Sequence, residues 1–313
     1  MTFKTFIHFI RIQTLPAALL SPLVGILYSI WYFKSFHLIP TLLFIIGLIS
    51  INFFVSAWNN LMDYYKALDP EYKNEENIIA THKIRPRLAI TICLIFLILD
   101  LIVGVRVLLL TNWAILPLGA FCFFVAVFYT FGPFAFSRFP LGEILAGLCE
   151  GFLGFFLAVY INSFDKGYFF IEFKGWKMNW TWDFALLIPL SIVGIICFCQ
   201  NFNVMFSDNI CDLEQDIKNG RYTLPYYLKK SLSLKLYRIV YILAILMILL
   251  AVACHILPLW SLISLLILPF VWSNMKKFLQ QQVKSQTFKY QIDNLILFNA
   301  STALSLLLAL LFK

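Results

Sequence analysis

Two short stretches hold acids in a chain that otherwise avoids them. In Ser207 to Leu224 (SDNICDLEQDIKNGRYTL), Asp208, Asp212 and Asp216 recur every fourth residue. A helix of 3.6 residues per turn stacks them along one face. Like charges so placed repel unless a cation stands among them, and carboxylate oxygens are what hard divalent cations take as ligands. The second stretch runs Asn59-Asn60-Leu61-Met62-Asp63, with Asp69 following. Asn59 and Asp63 share a face by the same spacing. Mg²⁺ suits two such clusters, because it is usually held by one or two carboxylates plus substrate phosphates. Lys66, Lys83, Arg85, Arg87 and Arg221 stand close enough in sequence to neutralise the rest of a diphosphate. Any one of these aspartates alone reads equally well as a solvated helix end paired with a nearby Lys or Arg. Two oxygen clusters together favour the cation reading.

The elements that must position these clusters are membrane helices. The chain is 61% hydrophobic and 13% charged, with a mean hydropathy of +0.85, and apolar runs recur along its length. This composition predicts an all-α, polytopic integral membrane protein forming a single domain over 1–313. About nine spans are expected, near 15–33, 38–58, 88–109, 112–130, 141–162, 183–206, 236–254, 257–272 and 291–312. The first run, interrupted by Arg11 and lacking a small-residue cleavage pattern, reads as a retained span rather than a signal. Most of the 24 Lys and Arg then lie on the cytoplasmic side, leaving Lys34, Arg106, Lys166, Lys174, Lys177 and Lys313 outside. The positive-inside rule predicts a multi-pass protein of the cell membrane with its N-terminus in and C-terminus out.

The net charge of +8 is therefore a topology signal. The basic residues flank spans and are not interleaved with stacking aromatics, so nucleic-acid binding is not indicated. The seven cysteines lie mostly in apolar runs with no CxxC pair and read as small buried hydrophobes. The histidines lack ligand spacing, which argues against zinc. The two most polar loops, 59–87 and 207–235, lie on the same membrane side and carry the two clusters, so any chemistry belongs there. The aromatic loop 163–181 reads as interfacial packing. Nothing points to an obligate protein partner.

At these residues the chain resembles the UbiA superfamily of intramembrane prenyltransferases, whose motifs run NDxxD with a later Asp, and DxxxDxxxD followed by Gly-basic-x-Thr-Leu. Here they stand as Asn59 to Asp63 with Asp69, and as Asp208 to Asp216 with Gly220-Arg221-Tyr222-Thr223-Leu224. Arg11-Ile12-Gln13-Thr14-Leu15-Pro16, Tyr129-Thr130-Phe131-Gly132-Pro133 and Pro140-Leu141-Gly142-Glu143 are similar to its 1,4-dihydroxy-2-naphthoate polyprenyltransferase branch, in menaquinone biosynthesis. Asn60 stands where the family usually has Asp, Cys211 where that branch usually has Arg, and Arg221-Tyr222 where it usually has Lys-Arg.

The resemblance implies an active site open to the cytoplasmic side. Two Mg²⁺ would be held by Asn59 and Asp63 on one side and by Asp212 and Asp216 on the other, bridging the diphosphate of a polyprenyl donor. Lys66, Arg85 and Arg221 would bind diphosphate, and Asn60, Asp69, Asn209 and Arg11 would support the site. Tyr129 would face an allylic cation. Asp208 would either orient or deprotonate the aromatic acceptor or complete the metal shell. The acceptor would be 1,4-dihydroxy-2-naphthoate, losing CO₂, with 4-hydroxybenzoate as the alternative.

Glu143 and Glu150, seven residues apart, would share a face of the fifth span, with Glu143 near enough to its end to snorkel. Asp100 and Arg106 are badly spaced for an ion pair. The rival class is a secondary transporter, whose acids would sit near the midplane on broken helices of inverted repeats. Here they cluster at helix ends.

Overall fold

The chain folds as a bundle of long helices whose ends carry the polar residues, in a computed structural model that describes residues 1–312. Lys313, assigned to the outer side above, lies outside the described residues. Helix α1 (Phe3–Phe9) opens with Thr2, whose Oγ1 accepts from the Thr5 amide at 3.2 Å. A 3₁₀ turn leads into α2 (Leu15–Tyr28), which a π-type turn over Ser29–Phe33 prolongs.

Helix α3 (Leu38–Lys66) has 29 residues. At 1.5 Å per residue it is about 43 Å long, against about 30 Å of hydrocarbon. Its last turns, bearing Asn59, Asn60, Asp63 and Lys66, therefore project past the lipid. The 28 residues of α9 (Phe184–Cys211) carry Asp208 and Asn209 out in the same way. Between these two lie α4 (Ile78–Thr81), capped by the Asn77 side chain, then α5 (Pro86–Leu110), α6 (Ile115–Phe128), α7 (Gly142–Ala146) and α8 (Gly154–Ser163). After α9 come α10 (Leu213–Lys218), α11 (Leu224–Ala253), α12 (Leu268–Gln280), α13 (Lys284–Thr287) and α14 (Lys289–Leu311).

Among the described residues, 8 helical segments are long and apolar enough to cross a membrane, where nine spans were expected. The difference is α6. Its 14 residues rise about 21 Å, short of the hydrocarbon thickness. The eighth expected span, 257–272, proves to be a 3₁₀ run over Leu259–Ile267 continued by α12.

The loop expected at 163–181 holds a β-hairpin of β1 (Phe169–Lys174) and β2 (Lys177–Trp182), turning at Gly175 with φ +62°. Pairing Phe169 with Trp182, Ile171 with Trp180 and Phe173 with Met178 gathers the apolar side chains on one face. Asn112 pins the hairpin as a partner strand would. Its side chain accepts from the Ile171 amide at 2.9 Å and donates to the Ile171 carbonyl at 3.1 Å.

The main core joins α2, α8, α9, α11 and α14. A second cluster packs α1 against the C-terminal part of α3 and the start of α5 through Phe9, Phe54, Leu61 and Ile84. Buried polar side chains fix helix register, as they do in lipid. Tyr237 and Tyr241 on α11 both donate to Gln291 Oε1 on α14, at 2.6 and 3.1 Å, and Asn203 on α9 donates to the Tyr237 carbonyl at 3.2 Å.

Close approach depends on two glycines. A Cβ on Gly25 would meet the Phe155 carbonyl oxygen at 2.5 Å, and one on Gly151 would meet the Cys197 carbonyl oxygen at 2.5 Å. Backbone atoms cannot swing aside. Gly151→Ala is therefore expected to destabilise the detergent-solubilised protein by about 1–3 kcal/mol, seen as a lower thermal midpoint. Gly119→Ala, which meets nothing within 4 Å, should leave the midpoint unchanged or slightly raised.

Candidate active site

The carboxylate ladder forms, with a break in it. Helix α9 ends at Cys211, and Asp212 takes φ −91°, ψ 6° before α10 begins. The Asp212 amide still donates to the Asp208 carbonyl at 3.0 Å, and the Asp216 amide to the Asp212 carbonyl at 2.8 Å. The fourfold spacing therefore keeps the three rungs together across the bend. All three line a cavity of about 260 Å³, together with Asn59, Asp63, Tyr129, Arg11, Arg138, Arg221 and Lys284. The two oxygen clusters thus meet from opposite sides of one space. A second cavity of about 360 Å³, lined by His8, Gln13, Asn60 and Asn77, shares Arg11, Tyr72 and Glu76 with the first. Only the first contains the aspartates.

Each rung has a basic neighbour. Arg221 Nη1 reaches Asp216 Oδ1 at 3.3 Å, brought back by Gly220 at φ +66°. Lys284 Nζ pairs with Asp208 Oδ1 at 2.9 Å and also with Asp212 Oδ2. Burial pushes the Asp216 carboxyl up to about 7, with Asp212 and Asp208 adding to the rise and Arg221 opposing it. Burial, then the Asp208 charge, also raises Asp212 against the pull of Lys284. Burial draws Arg221 down, but Asp216, Asp63, Tyr129 and Asp208 hold it above its ordinary value.

Asp216 Oδ2 is buried without a hydrogen-bond partner. An orphaned carboxylate oxygen beside Asp212, in a cavity whose other candidate ligands are oxygens, fits a hard cation. Among the described residues no three His, Cys, Asp or Glu side chains form a ready cage. That is the kind of site in which Mg²⁺ takes its remaining oxygens from water and phosphate.

The loops carrying the clusters are tied to each other. Asn219 Oδ1 accepts from the amides of both Leu68 and Asp69 at 3.1 Å, and its Nδ2 donates to the Gln215 carbonyl at 3.1 Å. Arg138 donates to the Asn219 carbonyl at 3.2 Å and to the Lys66 carbonyl at 3.4 Å. Glu143, fully buried, accepts from the Asn209 side chain at 2.7 Å and from the Leu224 amide at 3.1 Å. It does not snorkel. Glu150 lies in the π-type segment Gly147–Leu153 and is exposed, where Glu143 is buried.

The sequence matches the UbiA prenyltransferase family over residues 18–301. The chain belongs to that family. Its likeness to a 1,4-dihydroxy-2-naphthoate octaprenyltransferase of Bacillus subtilis (strain 168) is 26% identity over 219 residues, 68% of this chain. The match spans 62% of that relative's length. Its fold is similar to an apo UbiA homolog from Aeropyrum pernix K1, with TM-score 0.70, 16% identity, and 93% of this chain and 98% of that one covered. It is also similar to a UbiA homolog from Archaeoglobus fulgidus solved with DMAPP and Mg²⁺, with TM-score 0.62, 15% identity, and 96% and 99% covered. A digeranylgeranylglyceryl phosphate synthase matches with TM-score 0.65 and 18% identity over 97% of this chain and 98% of that one. The fold is thus the UbiA fold.

Within this UbiA-family chain, the expected residues divide into two groups. Asn59, Asp63, Tyr129, Asp208, Asp212, Asp216, Arg11 and Arg221 all line the aspartate cavity. The others stand behind or away from it. Asn60 Oδ1 accepts from Arg11 Nη2 at 2.6 Å and its Nδ2 donates to the Phe9 carbonyl at 2.8 Å, so it holds the N-terminal segment. Lys66 donates to the Thr130 carbonyl at 2.8 Å, while the Thr130 hydroxyl donates to Asn59 Oδ1 at 2.9 Å. Asp69 accepts from the Glu71 amide at 3.0 Å in its own turn. Asn209 serves Glu143. Arg85 is exposed at the start of α5, outside the cavity lining.

Arg138, Asn219 and Lys284 escaped sequence reasoning, since none belongs to either motif. For Lys284 the only signal was a basic residue in a connection between two expected spans. Asn219→Ala leaves the Leu68 and Asp69 amides without their acceptor, a loss of about 1–3 kcal/mol. Hydrogen exchange at these two amides is expected to speed by roughly tenfold or more, while exchange in α14 stays as it was.

Proposed function

We propose that this UbiA-family chain transfers a polyprenyl group from an allylic polyprenyl diphosphate to 1,4-dihydroxy-2-naphthoate, releasing diphosphate and CO₂, as a step in menaquinone biosynthesis. The observation that carries it is the convergence of Asn59 and Asp63 with Asp208, Asp212 and Asp216 on one cavity that basic side chains also line. The motifs shared with the naphthoate branch and the likeness to the Bacillus subtilis enzyme support the acceptor. The Archaeoglobus fulgidus relative with DMAPP and Mg²⁺ supports the donor class and the cation. A transporter reading finds no support in the family, and the acids lie at helix ends instead of the midplane.

Asn59 and Asp63 on one side and Asp212 and Asp216 on the other would hold two Mg²⁺, which when bound supply Lewis-acid stabilisation of the leaving diphosphate. Arg221, Arg138 and Arg11 face the same cavity and would take up diphosphate charge. As the allylic C–O bond breaks, its electron pair leaves with the diphosphate. Tyr129 lines the cavity with its hydroxyl turned to the Gly142 carbonyl at 3.4 Å. Its ring is thereby available to stabilise the allylic cation without trapping it. Burial, with Glu143 adding, raises the Tyr129 hydroxyl far above its ordinary range, so no phenolate competes as a nucleophile. The naphthoate ring carbon bearing the carboxylate then forms the new C–C bond. That carboxylate departs as CO₂, and its bonding pair restores the aromatic ring. The reading places the cavity on the cytoplasmic face of the cell membrane, with the N-terminus inside and the C-terminus outside.

Membranes containing the chain, given 1,4-dihydroxy-2-naphthoate, a polyprenyl diphosphate and Mg²⁺, are expected to form prenylated naphthol and CO₂, and EDTA should abolish both. Product from 4-hydroxybenzoate instead would move the acceptor. Asp63→Ala and Asp212→Ala should each cut turnover on the order of a hundredfold or more while still inserting in membranes. Retained activity in either would count against the ligand assignment.

The pH dependence follows from Asp216. A carboxyl held near 7 is protonated below that pH, and the proton competes with a metal for the same oxygen. Between about pH 8 and about pH 6 its ionised fraction falls roughly tenfold. Mg²⁺ binding, followed with Mn²⁺ as a spectroscopic substitute, is expected to weaken by a similar factor over that range.

A further inference from the structure

Lys284 opens α13, in the connection between α12 and α14 and far in sequence from either acidic motif. Its position is held by a single tight turn. The Thr287 hydroxyl donates to the Val283 carbonyl at 3.1 Å and accepts from the Val283 amide at 3.0 Å, and the Thr287 amide donates to the same carbonyl at 2.8 Å. From there the ammonium lies between two rungs of the ladder, on Asp208 and on Asp212. The third rung is engaged by Arg221 through one oxygen only, and the other oxygen of Asp216 is buried without a partner. An ammonium therefore sits on the upper rungs while the lowest still has a ligand oxygen to offer.

A divalent ion on Asp212 would stand within a few ångströms of that ammonium. Two cations at such a distance repel strongly even at the effective dielectric of a protein surface. Lys284 must then move for the metal to bind, and it is built to move. Its side chain is 50% exposed, on a flexible four-carbon stem. A diphosphate arriving with the metal offers the displaced ammonium a new anion in the same cavity.

We propose that Lys284 is a built-in counter-ion that occupies the second acidic cluster in the empty enzyme and yields only when metal and diphosphate arrive together. Metal alone then gains little, because it must evict a cation that has no other anion to go to. Metal with diphosphate gains more, because the ammonium passes from carboxylate to phosphate. Lys284 is in this sense a positioning residue that orders ligand binding. The inference rests on the cation reading of the aspartates proposed above.

The test is equilibrium binding of Mn²⁺ to the purified full-length protein in detergent, read from the free-ion spin-resonance signal, with and without inorganic pyrophosphate. Lys284→Met is expected to bind Mn²⁺ alone on the order of tenfold or more tightly than the unaltered protein. Pyrophosphate should close or reverse that gap, since the variant has no ammonium to give to it. Lys284→Arg, which keeps the charge, should bind Mn²⁺ alone no more tightly than the unaltered protein does. Equal affinity of the unaltered protein and Lys284→Met for Mn²⁺ alone would overturn the counter-ion and leave the metal site standing. A gap that pyrophosphate does not narrow would overturn the exchange of anions. Folded protein, judged by its thermal transition, that binds no Mn²⁺ in either form with or without pyrophosphate would overturn both this inference and the cation reading beneath it.

Discussion

Carboxylates half withdrawn from water need a compensating cation nearby, and the polar end of this bundle is organised by that need. Asp63, Glu76, Asp208, Asp212 and Asp216 face one cavity with Arg11, Arg138, Arg221 and Lys284. Isolated, a buried carboxylate would take up a proton instead of carrying a charge, and Asp216 already tends that way. Arg221 and Lys284 stand beside these acids where a divalent cation would stand. The arginines are the fixed part of this balance, because guanidinium does not lose its proton and holds its geometry. Lysine is the adjustable part. Cys211 places no charge on the ladder, and the ammonium that stands there comes instead from the α12–α14 connection.

The bundle brings these groups together by length and by clasps. Helices α3 and α9 overrun the hydrocarbon, so their acidic last turns emerge on the same side. What emerges would splay if it were not tied, since loops outside the lipid have little apolar surface to bury. Asn219 and Arg138 join the loop after α3 to the turn after α10. Glu143 joins α7 to α9 and to the start of α11 through Asn209 and Leu224. Both donors bind the same buried oxygen, Oε1, while Oε2 has no partner, so losing either donor would leave the carboxylate on a single hydrogen bond.

Apolar runs and fourfold spacing made much of this legible in the sequence. Hydropathy reports helices that cross lipid well, because lipid imposes one secondary structure on them. It reports α6 less well, since an apolar stretch of the right composition need not be helical over its whole length. The hairpin of β1 and β2 was hidden for a related reason. Its alternation mixes Trp, Phe and Met with Lys and Asn over only six residues per strand, and Asn112, which anchors it, lies far away in sequence. Periodicity placed Asp208, Asp212 and Asp216 together correctly although the helix bends at Asp212, because the i to i+4 hydrogen bonds survive the bend. Glu150 falls in a π-type segment, whose period differs from that of the α-helix. Partners such as Lys284, Arg138 and Asn219 lie in no motif, since what selects them is tertiary geometry.

The division between Asn59 and Asn60 shows how far residue type alone can carry a functional reading. Both are neighbours at the end of α3, and both offer an amide oxygen. Successive residues on a helix point about 100° apart, so one faces the aspartate cavity while the other faces the N-terminal segment. Asn59 keeps its oxygen toward the cavity, oriented by the Thr130 hydroxyl. Asn60 spends its oxygen on Arg11 and its amide on the Phe9 carbonyl. An aspartate at position 60 would bind Arg11 as a full ion pair and offer nothing to Phe9. The asparagine leaves the guanidinium charge uncancelled while still fixing where it points. Arg11 lines both cavities, so the neutral residue behind it adds one unit of positive charge to the place where an anionic substrate would lie. The change from charged to neutral at this position thus acts on the cavity through the arginine it orients.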